Sequence, residues 1–511
     1  MIAEGVRTVT AGIRDIESFA DRVVTEDAEH VTGWVPRGDR SPARKDLGRG
    51  VNRGRRRFVC AGVPIPREDP VTTTQHRPAV APAAKPDRRS TARVALLAAL
   101  GVNVLIVAAL VVATGASPNI LITLERIAGL VAGLLMAFQF LLIARLPWLD
   151  ERLGMDRLTS YHRWNGIGLM WTLLAHVVLI VVGYAELEAH DVISEVVVLS
   201  DTFTGVFLAI IAFLLVIVVG ATSARIARKR LPYETWHAIH LLTYAIVALA
   251  FTHQFISGTT IASTGGRIYW ILLWGAAIGV LITGRVIRPL LRNRRYQLRV
   301  AGVVAESHNV VSVYISGRNL HELPARAGQF FVWRFLAKGM WHRANPFSLS
   351  AAPDGRCLRL TAKAVGTASA ALRDLKVGTR VYAEGPYGAF TTANQVHPHA
   401  LLIAGGVGVT PIRALLEEIR GHVVVLYRVR DERDAVLLDE LRALAPVVRV
   451  LSGPSAGQFN PESLRYMVPD IWARDVFVCG PAAMTNAVLA SVRALKVPER
   501  QVHAEKFSLA G

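Results

Sequence analysis

Six apolar runs, near residues 94–114, 126–144, 162–184, 203–221, 235–256 and 268–287, constrain this chain more than any other feature. Each is about 17 to 23 residues, enough to cross roughly 30 Å of hydrocarbon as a helix. Hydrophobic residues make up 52% of the 511 and charged residues only 19%. That balance excludes a wholly soluble enzyme, a disordered chain and a fibrous repeat. The net charge of +19 is unevenly placed. Lys85, Arg88, Arg89 and Arg93 precede the first run. Arg145, Arg152, Arg157 and Arg163 lie between the second and third. Arg225, Arg228, Lys229 and Arg230 lie between the fourth and fifth, and Arg288, Arg292, Arg294 and Arg295 follow the sixth. The remaining loops are poor in Lys and Arg. By the positive-inside rule both ends of the chain are expected in the cytoplasm, as an even number of spans requires.

Residues 1–91 are polar and cationic, most densely from Arg40 to Arg57, and rich in Pro, Ala and Thr from 62 to 86. They are expected to form a disordered cytoplasmic tail with a short helix near 11–24. The first ninety residues contain no apolar stretch of signal-peptide type, so no signal peptide is expected. A recognition fold to accompany the charge is missing, so no nucleic-acid partner is expected; anionic lipid is the alternative attractor. Cys60, Cys357 and Cys479 are far apart and form no C-x-x-C, which excludes a four-cysteine iron–sulfur or zinc centre and covalent haem attachment.

From about 294 the pattern becomes that of a soluble protein. Short β-like runs come first: Tyr296–Ala305, Val310–Ser316, Gln329–Phe335, Leu358–Ala364 and Arg380–Glu384. After 400, strands at Leu401–Ala404, Val423–Tyr427 and Val476–Cys479 alternate with helical stretches at 411–420, 434–444 and 482–495. The expectation is a multi-domain chain. A six-helix transmembrane haem bundle (92–290) precedes an antiparallel β-barrel (294–395) and an α/β Rossmann-like domain (396–511).

Of fifteen histidines, five fall in the apolar runs: His162, His176, His237, His240 and His253. Ionisable residues are costly at membrane depth and usually mark function. His162 and His176 are fourteen residues apart on the third run, roughly 21 Å; His240 and His253 are thirteen apart on the fifth, roughly 20 Å. Both runs leave the cytoplasm, so His162 and His240 share an inner level and His176 and His253 an outer one. Two stacked imidazole pairs suit two b-type haems, about one per leaflet. The fit has one flaw. Fourteen residues return within about 40° of the same helix face, but thirteen miss by about 140°. The fifth run therefore needs a bend or a local change of helical pitch. His237 is read as an interfacial histidine.

These spacings, with the C-terminal motifs, resemble the ferric reductase and NADPH oxidase superfamily over about residues 95 to 511. Asn345-Pro346-Phe347-Ser348 resembles the flavin motif of ferredoxin–NADP reductase-like domains. The resemblance implies isoalloxazine contacts from Phe347 and Ser348. The position held here by Asn345 is usually His in the oxidases and Arg in the soluble reductases, and Arg343 is close by. Gly366-Thr367-Ala368-Ser369 resembles the pyrophosphate loop, and Gly385-Pro386-Tyr387-Gly388 the turn that closes the barrel. Gly405-Gly406-Val407-Gly408-Val409-Thr410-Pro411 follows a strand and opens a helix, as an anion site requires, and resembles the family's nicotinamide loop. Cys479-Gly480-Pro481 resembles the strand end whose cysteine lies near the nicotinamide. Glu505-Lys506-Phe507 resembles the segment whose aromatic covers the flavin, which implies Phe507 as the gate that nicotinamide displaces. Arg428 and Arg430 are candidate 2′-phosphate ligands, favouring NADPH over NADH.

The expected function is electron transfer from cytoplasmic NAD(P)H through FAD and two b-type haems to an extracytoplasmic acceptor, with the protein a multi-pass component of the cell membrane. Ferric iron or its chelate heads the acceptors; dioxygen reduced to superoxide is the alternative. Glu186, Glu188, Asp191 and Glu195 in the third-to-fourth loop could attract ferric iron, or simply reflect an outer loop. The segment Arg288–Arg295 is expected to be a hinge pressing the flavin module on the inner haem. Two rivals are a flavin reductase merely anchored by its spans and a nucleotide-gated six-span transporter. The second lacks a broken-helix repeat.

Overall fold

The computed structural model describes residues 88–117, 119–453 and 457–507, with backbone alone at 88, 89, 225, 229, 233, 368, 506 and 507. The cationic tail and the helix expected near 11–24 lie outside the described residues. Among the described residues, six helices are long and apolar enough to span a membrane: Ser90–Thr114, Ile120–Ile143, Met155–Glu188, Thr204–Ser223, Glu234–Ser257 and Thr264–Tyr296. Each overlaps one of the six apolar runs. The second span is the most enclosed, few residues of the first, third and fifth are fully buried, and the first turns most of its side chains outward, as lipid-facing helices do.

Close approach of the spans rests on small residues. A Cβ at Gly183 on the third span would stand 3.1 to 3.3 Å from Leu121 and Ile122 of the second. Asn119 caps the second span through Leu121 N–H (2.7 Å), and its amide donates to Gly183 O (3.1 Å). The fifth span is broken into Tyr233–His240 and Thr243–Ser257. Between them Leu242 N–H donates to Ile239 O (3.0 Å) and Tyr244 N–H to Leu241 O (3.1 Å), so the chain winds at three residues per turn. Each residue so wound adds about 20° of rotation relative to an α-helix. The change of pitch that the histidine spacing requires thus falls between His240 and His253.

The sixth span opens into a π-turn at Thr283–Ile287 and runs on as a helix to Tyr296. Gly284 sits there because any Cβ would strike Ala144 O, 1.8 Å away. The expected hinge at Arg288–Arg295 is therefore a helical strut. It is pinned because Asn293 donates to Ala383 O and accepts from Ala383 N–H, both at 2.9 Å, and Arg292 donates to Gly385 O.

The soluble part begins with six strands: β1 Arg299–Ala305, β2 Val310–Ser316, β3 Phe330–Phe335, β4 Asn345–Ser348, β5 Cys357–Lys363 and β6 Val381–Tyr387. They form two antiparallel three-stranded sheets, ordered β1-β2-β5 and β4-β3-β6. The barrel expected from the sequence is not closed. Among the described residues, the pairing between the sheets is limited to the isolated bridges Arg299↔Arg380 and Leu349↔Leu360. One core fills the space between them, with Val313, Ile315 and Leu360 from one sheet meeting Phe331, Trp333 and Phe335 from the other. Gly385-Pro386-Tyr387 is likewise not a turn. It is the end of β6, where Tyr387 still pairs with Phe330 beyond a register shift. Pro386 has no N–H to give the ladder, which suits that irregularity.

Five parallel strands follow: β7 Ala400–Gly405, β8 Val423–Arg428, β9 Val447–Leu451, β10 Asp475–Pro481 and β11 Val502–Phe507. Their order is β11-β10-β7-β8-β9. Both faces are covered, by Ile412, Leu415 and Leu441 on one side and by Leu464, Val488 and Val492 on the other. The order reverses beside β7, where ligands bind in sheets of this kind. Arg359 of β5 pairs with Glu440 (2.9 Å) and ties the two soluble modules together, while Arg413 steadies Glu440 from within the second module (2.6 Å).

Candidate functional site

Of the four membrane histidines, two stand ring to ring. The rings of His162 and His240 stand 6.1 Å apart, centroid to centroid, and 76° from parallel. Two imidazoles trans to one metal, with metal–nitrogen bonds of about 2.0 Å, have centroids roughly 6 Å apart. Both Nδ1 atoms are buried and find no hydrogen-bond partner among the described residues. The outer pair is prepared differently. His176 Nδ1 lies 3.1 Å from Glu125 O and 3.1 Å from Glu125 Oε2, and His253 Nδ1 lies 3.1 Å from Gly205 O. A ligating histidine typically donates its second ring nitrogen to just such a carbonyl, which leaves Nε2 as the lone-pair atom. His176 and His253 are close enough to act on each other electrostatically. The bare backbone of Gly129 receives the His176 ring, since a Cβ there would stand 2.9 Å from Nδ1. This donor set and its spacing fit a pair of bis-histidine haems. His237 is exposed, as an interfacial residue would be.

The flavin sheet docks on the side of the bundle that carries the inner pair. Arg145 donates to Glu384 Oε2 at 2.5 Å and lies 5.3 Å from the centre of the Tyr387 ring, and Arg334 holds the other Glu384 oxygen. Gly388 N–H donates to Asp150 Oδ2 (2.7 Å), and Arg157 at the start of the third span meets Glu499 (3.5 Å). Burial pushes the Asp150 carboxyl up to about 6 against the bond from Gly388.

Asn345, Pro346, Phe347 and Ser348 form β4, paired with β3 so that Ser348 faces Phe330. Trp333 Nε1 donates to Phe347 O (3.0 Å). Ser348 Oγ is buried without a partner among the described residues, as a hydroxyl reserved for a polar ring edge would be. Asn345 donates to Arg343 O (3.2 Å), and Arg343 donates to Thr367 Oγ1 (2.8 Å). The motif thereby meets the Gly366-Thr367-Ala368-Ser369 loop. Ser369 Oγ accepts from Val365 and Gly366 N–H, at 3.0 and 3.1 Å, and fixes that loop's shape. The group fits an FAD.

Across the cleft, Gly405, Gly406, Arg428, Arg430 and Pro481 line one cavity of about 880 Å³. Gly408 must lack a side chain, because its Cβ would stand 2.2 Å from Cys479 O. Gly405 and Gly480 pack backbone to backbone, 3.0 Å from where a Gly480 Cβ would be. Thr410 Oγ1 donates to Val407 O (3.0 Å), and Pro411 is buried in the first turn of the helix Val409–Glu418. Arg428 is spoken for: its guanidinium donates to Leu451 O and Gly453 O. Arg430 is exposed in the same cavity. Cys479 is fully buried between Ala404 of β7 and Glu505 of β11, and burial holds its thiol well above the usual range. Phe507 ends β11 opposite Pro481; its side chain lies outside the described residues.

Sequence reasoning missed Glu125, Glu384, Asp150 and Glu505. Glu505 Oε2 is buried without a partner, and burial, reinforced by the charges of Asp156 and Asp150, pushes its carboxyl up to about 8. A signal existed for Glu125, an acid at the edge of the second apolar run, and Glu505 stood out only as a member of the Glu505-Lys506-Phe507 motif.

Residues 128–251 match the ferric reductase like transmembrane component, and residues 402–489 match the oxidoreductase NAD-binding domain. The ferredoxin reductase component of 3-ketosteroid-9-alpha-monooxygenase from Mycobacterium tuberculosis (strain ATCC 25618 / H37Rv) is 33% identical over 233 residues, which are 41% of this chain and 65% of that protein. This chain thus spans just under two thirds of that relative's length. A flavohemoprotein of Xylella fastidiosa (strain 9a5c) is 25% identical over 321 residues, 57% of this chain and 79% of that one. Among solved structures, the FAD/NAD-binding domain of a nitric oxide dioxygenase from Vibrio cholerae is 23% identical with a TM-score of 0.34, covering 41% of this chain and 98% of its own. A ferric reductase-like transmembrane component and a nicotinamide-binding oxidoreductase module stand here in one polypeptide, the combination that the resemblance to the ferric reductase and NADPH oxidase superfamily implies.

Proposed function

We propose that this multi-pass oxidoreductase carries electrons from cytoplasmic NAD(P)H to an acceptor on the opposite side of the cell membrane, with ferric iron or its chelate as that acceptor. The carrying observation is the pairing of His162 with His240, rings 6.1 Å apart, on the side of the bundle where the flavin sheet docks. In this reading both termini are cytoplasmic, in line with the arginines of the loops and of the strut Arg288–Tyr296. Bound FAD would supply the conversion of one hydride, carrying two electrons, into two single-electron transfers, and b-type haems held by the histidines would supply one-electron relay.

The chain's own residues do the positioning. Gly405, Gly406 and Gly408 let backbone approach a dinucleotide phosphate at the start of the helix Val409–Glu418. Cys479, protonated and buried, offers an apolar wall rather than a nucleophile. Phe507 is the proposed gate over the flavin. Ser348 offers its hydroxyl to the isoalloxazine edge, and Thr367 with Ser369 shapes the pyrophosphate loop. His162 with His240, and His176 with His253, would hold two haem irons at separate depths. Arg145, Asp150 and Asn293 fix the flavin sheet against the inner pair, so that distance is set by packing.

The test is NADPH addition under argon to sealed inside-out membrane vesicles whose lumen holds ferric citrate or plain buffer, the latter then opened to air. The Soret band should shift to the reduced position with NADPH and return faster with ferric citrate than with air. Flavin bleaching with an unmoved Soret band would refute the path.

A further inference from the structure

The third span ends at Glu188. Ala189 then adopts a left-handed conformation (φ 58°), and His190 N–H donates back to Ala185 O (3.0 Å). Asp191 caps the next helix, Val192–Thr202, through Ile193 and Ser194 N–H at 3.0 and 3.1 Å. This tight corner brings the last turn of one helix against the first turn of the next. It sorts the acids of the loop by role. Asp191 is a cap, and Glu186 accepts from Asn119 (3.5 Å). Glu188 and Glu195 instead converge on His190, whose Nδ1 lies 3.7 Å from Glu188 Oε2 and 2.9 Å from Glu195 Oε2. One ligand atom from each of the three residues falls within 4.8 Å of the others. Adjacent ligands of a metal bound at about 2.1 Å stand roughly 3.0 to 3.4 Å apart.

Glu195 supplies an independent observation. Its side chain is 0% exposed, yet Oε1 has no hydrogen-bond partner among the described residues. A buried carboxylate held by one imidazole is under-satisfied, and a cation is what would complete it. Glu188 and His190 are 43% and 40% exposed, so the corner is closed on the Glu195 side and open on the other. It also neighbours the outer histidine pair. Tyr184, one turn back on the third span, is within electrostatic reach of Glu188 and Glu195 on one side and of Glu125 on the other. Glu125 in turn holds His176.

We propose that Glu188, His190 and Glu195 bind a first-row transition-metal cation at the outer end of the membrane domain, and that this corner is where an iron acceptor docks. Two carboxylates and one imidazole are a donor set for iron or zinc rather than for a soft ion. The docking role rests on the proposed electron path. There Fe(III) takes one electron from the redox group held by His176 and His253 and leaves as Fe(II), with no proton transferred.

The experiment titrates Zn²⁺, a redox-inert probe, into the purified full-length holoprotein in lipid nanodiscs by calorimetry, with the Soret band recorded on each sample. Wild type should show a site that weakens at least tenfold in Glu188→Gln and in His190→Asn. Both side chains are partly exposed, so neither change threatens the fold as Glu195→Gln could. Zn²⁺ should also compete with ferric citrate for reoxidation of the reduced protein. An isotherm unchanged in both variants would overturn the site, and Ca²⁺ binding tighter than Zn²⁺ would overturn its chemical class. Zn²⁺ binding without a Soret band would keep the site and remove the electron path. A Soret band without the Zn²⁺ site would do the reverse.

Discussion

Asp150→Asn tests how the flavin sheet is held to the membrane domain. Asp150 is 1% exposed, accepts the Gly388 N–H through Oδ2 and leaves Oδ1 without a partner. Burial raises its carboxyl to about 6, against 3.8 when exposed. A folded-state value above the undocked value means docking is favoured by protonation, and that advantage is lost as pH rises through 6. At about 1.4 kcal/mol per pH unit, the loss amounts to about 3 kcal/mol at pH 8 and about 1.6 kcal/mol at pH 5. Asparagine keeps an acceptor for Gly388 without the charge. Hydrogen exchange at Gly388, corrected for the intrinsic rate, reads the undocking equilibrium directly. Wild-type protection should fall about tenfold between pH 5 and pH 8, while the Asn variant stays level and is better protected at pH 8. Wild-type protection that is flat or rises with pH would refute the reasoning.

Three further outcomes are expected. Gly408→Ala places a Cβ 2.2 Å from Cys479 O, so the glycine loop must shift by about 1 Å; such a displacement costs on the order of 100-fold in stopped-flow flavin reduction by NADPH, with dithionite reduction unaffected. Cys479, with its thiol pushed well above the usual range, should resist iodoacetamide at pH 7.5 in the native protein and react once denatured, as mass spectrometry of the peptide will show. Arg430→Ala should raise KM for NADPH about tenfold and leave KM for NADH unchanged, because Arg428 is held by backbone carbonyls and Arg430 is the exposed cation in that cavity.

The spans were legible because hydrocarbon imposes one length and one composition on all of them. The thirteen-residue gap between His240 and His253 demanded a change of pitch, and a tightened turn at Leu241–Leu242 supplies part of it. Parallel strands β7, β8 and β10 were legible as continuous apolar runs. Strand β4 was not, because Pro346 argues against a strand; it is tolerated because β4 is at the edge of its sheet. Strand β9 and the helix Pro461–Met467 were missed as short segments whose apolar residues are decided by packing against Leu426 and Val488. The buried acids were illegible for another reason. Whether Glu195 is a solvated loop charge or a buried ligand depends on the left-handed turn at Ala189, and Glu384 becomes an interface charge only once Arg145, 239 residues away, is folded against it.

Haem content per chain, measured by pyridine haemochrome against flavin and protein, tests the central claim most directly. The account predicts two b-type haems for each FAD in the wild type and one in His253→Ala. A full complement of flavin with no haem, or a haem content unchanged by His253→Ala, would contradict it.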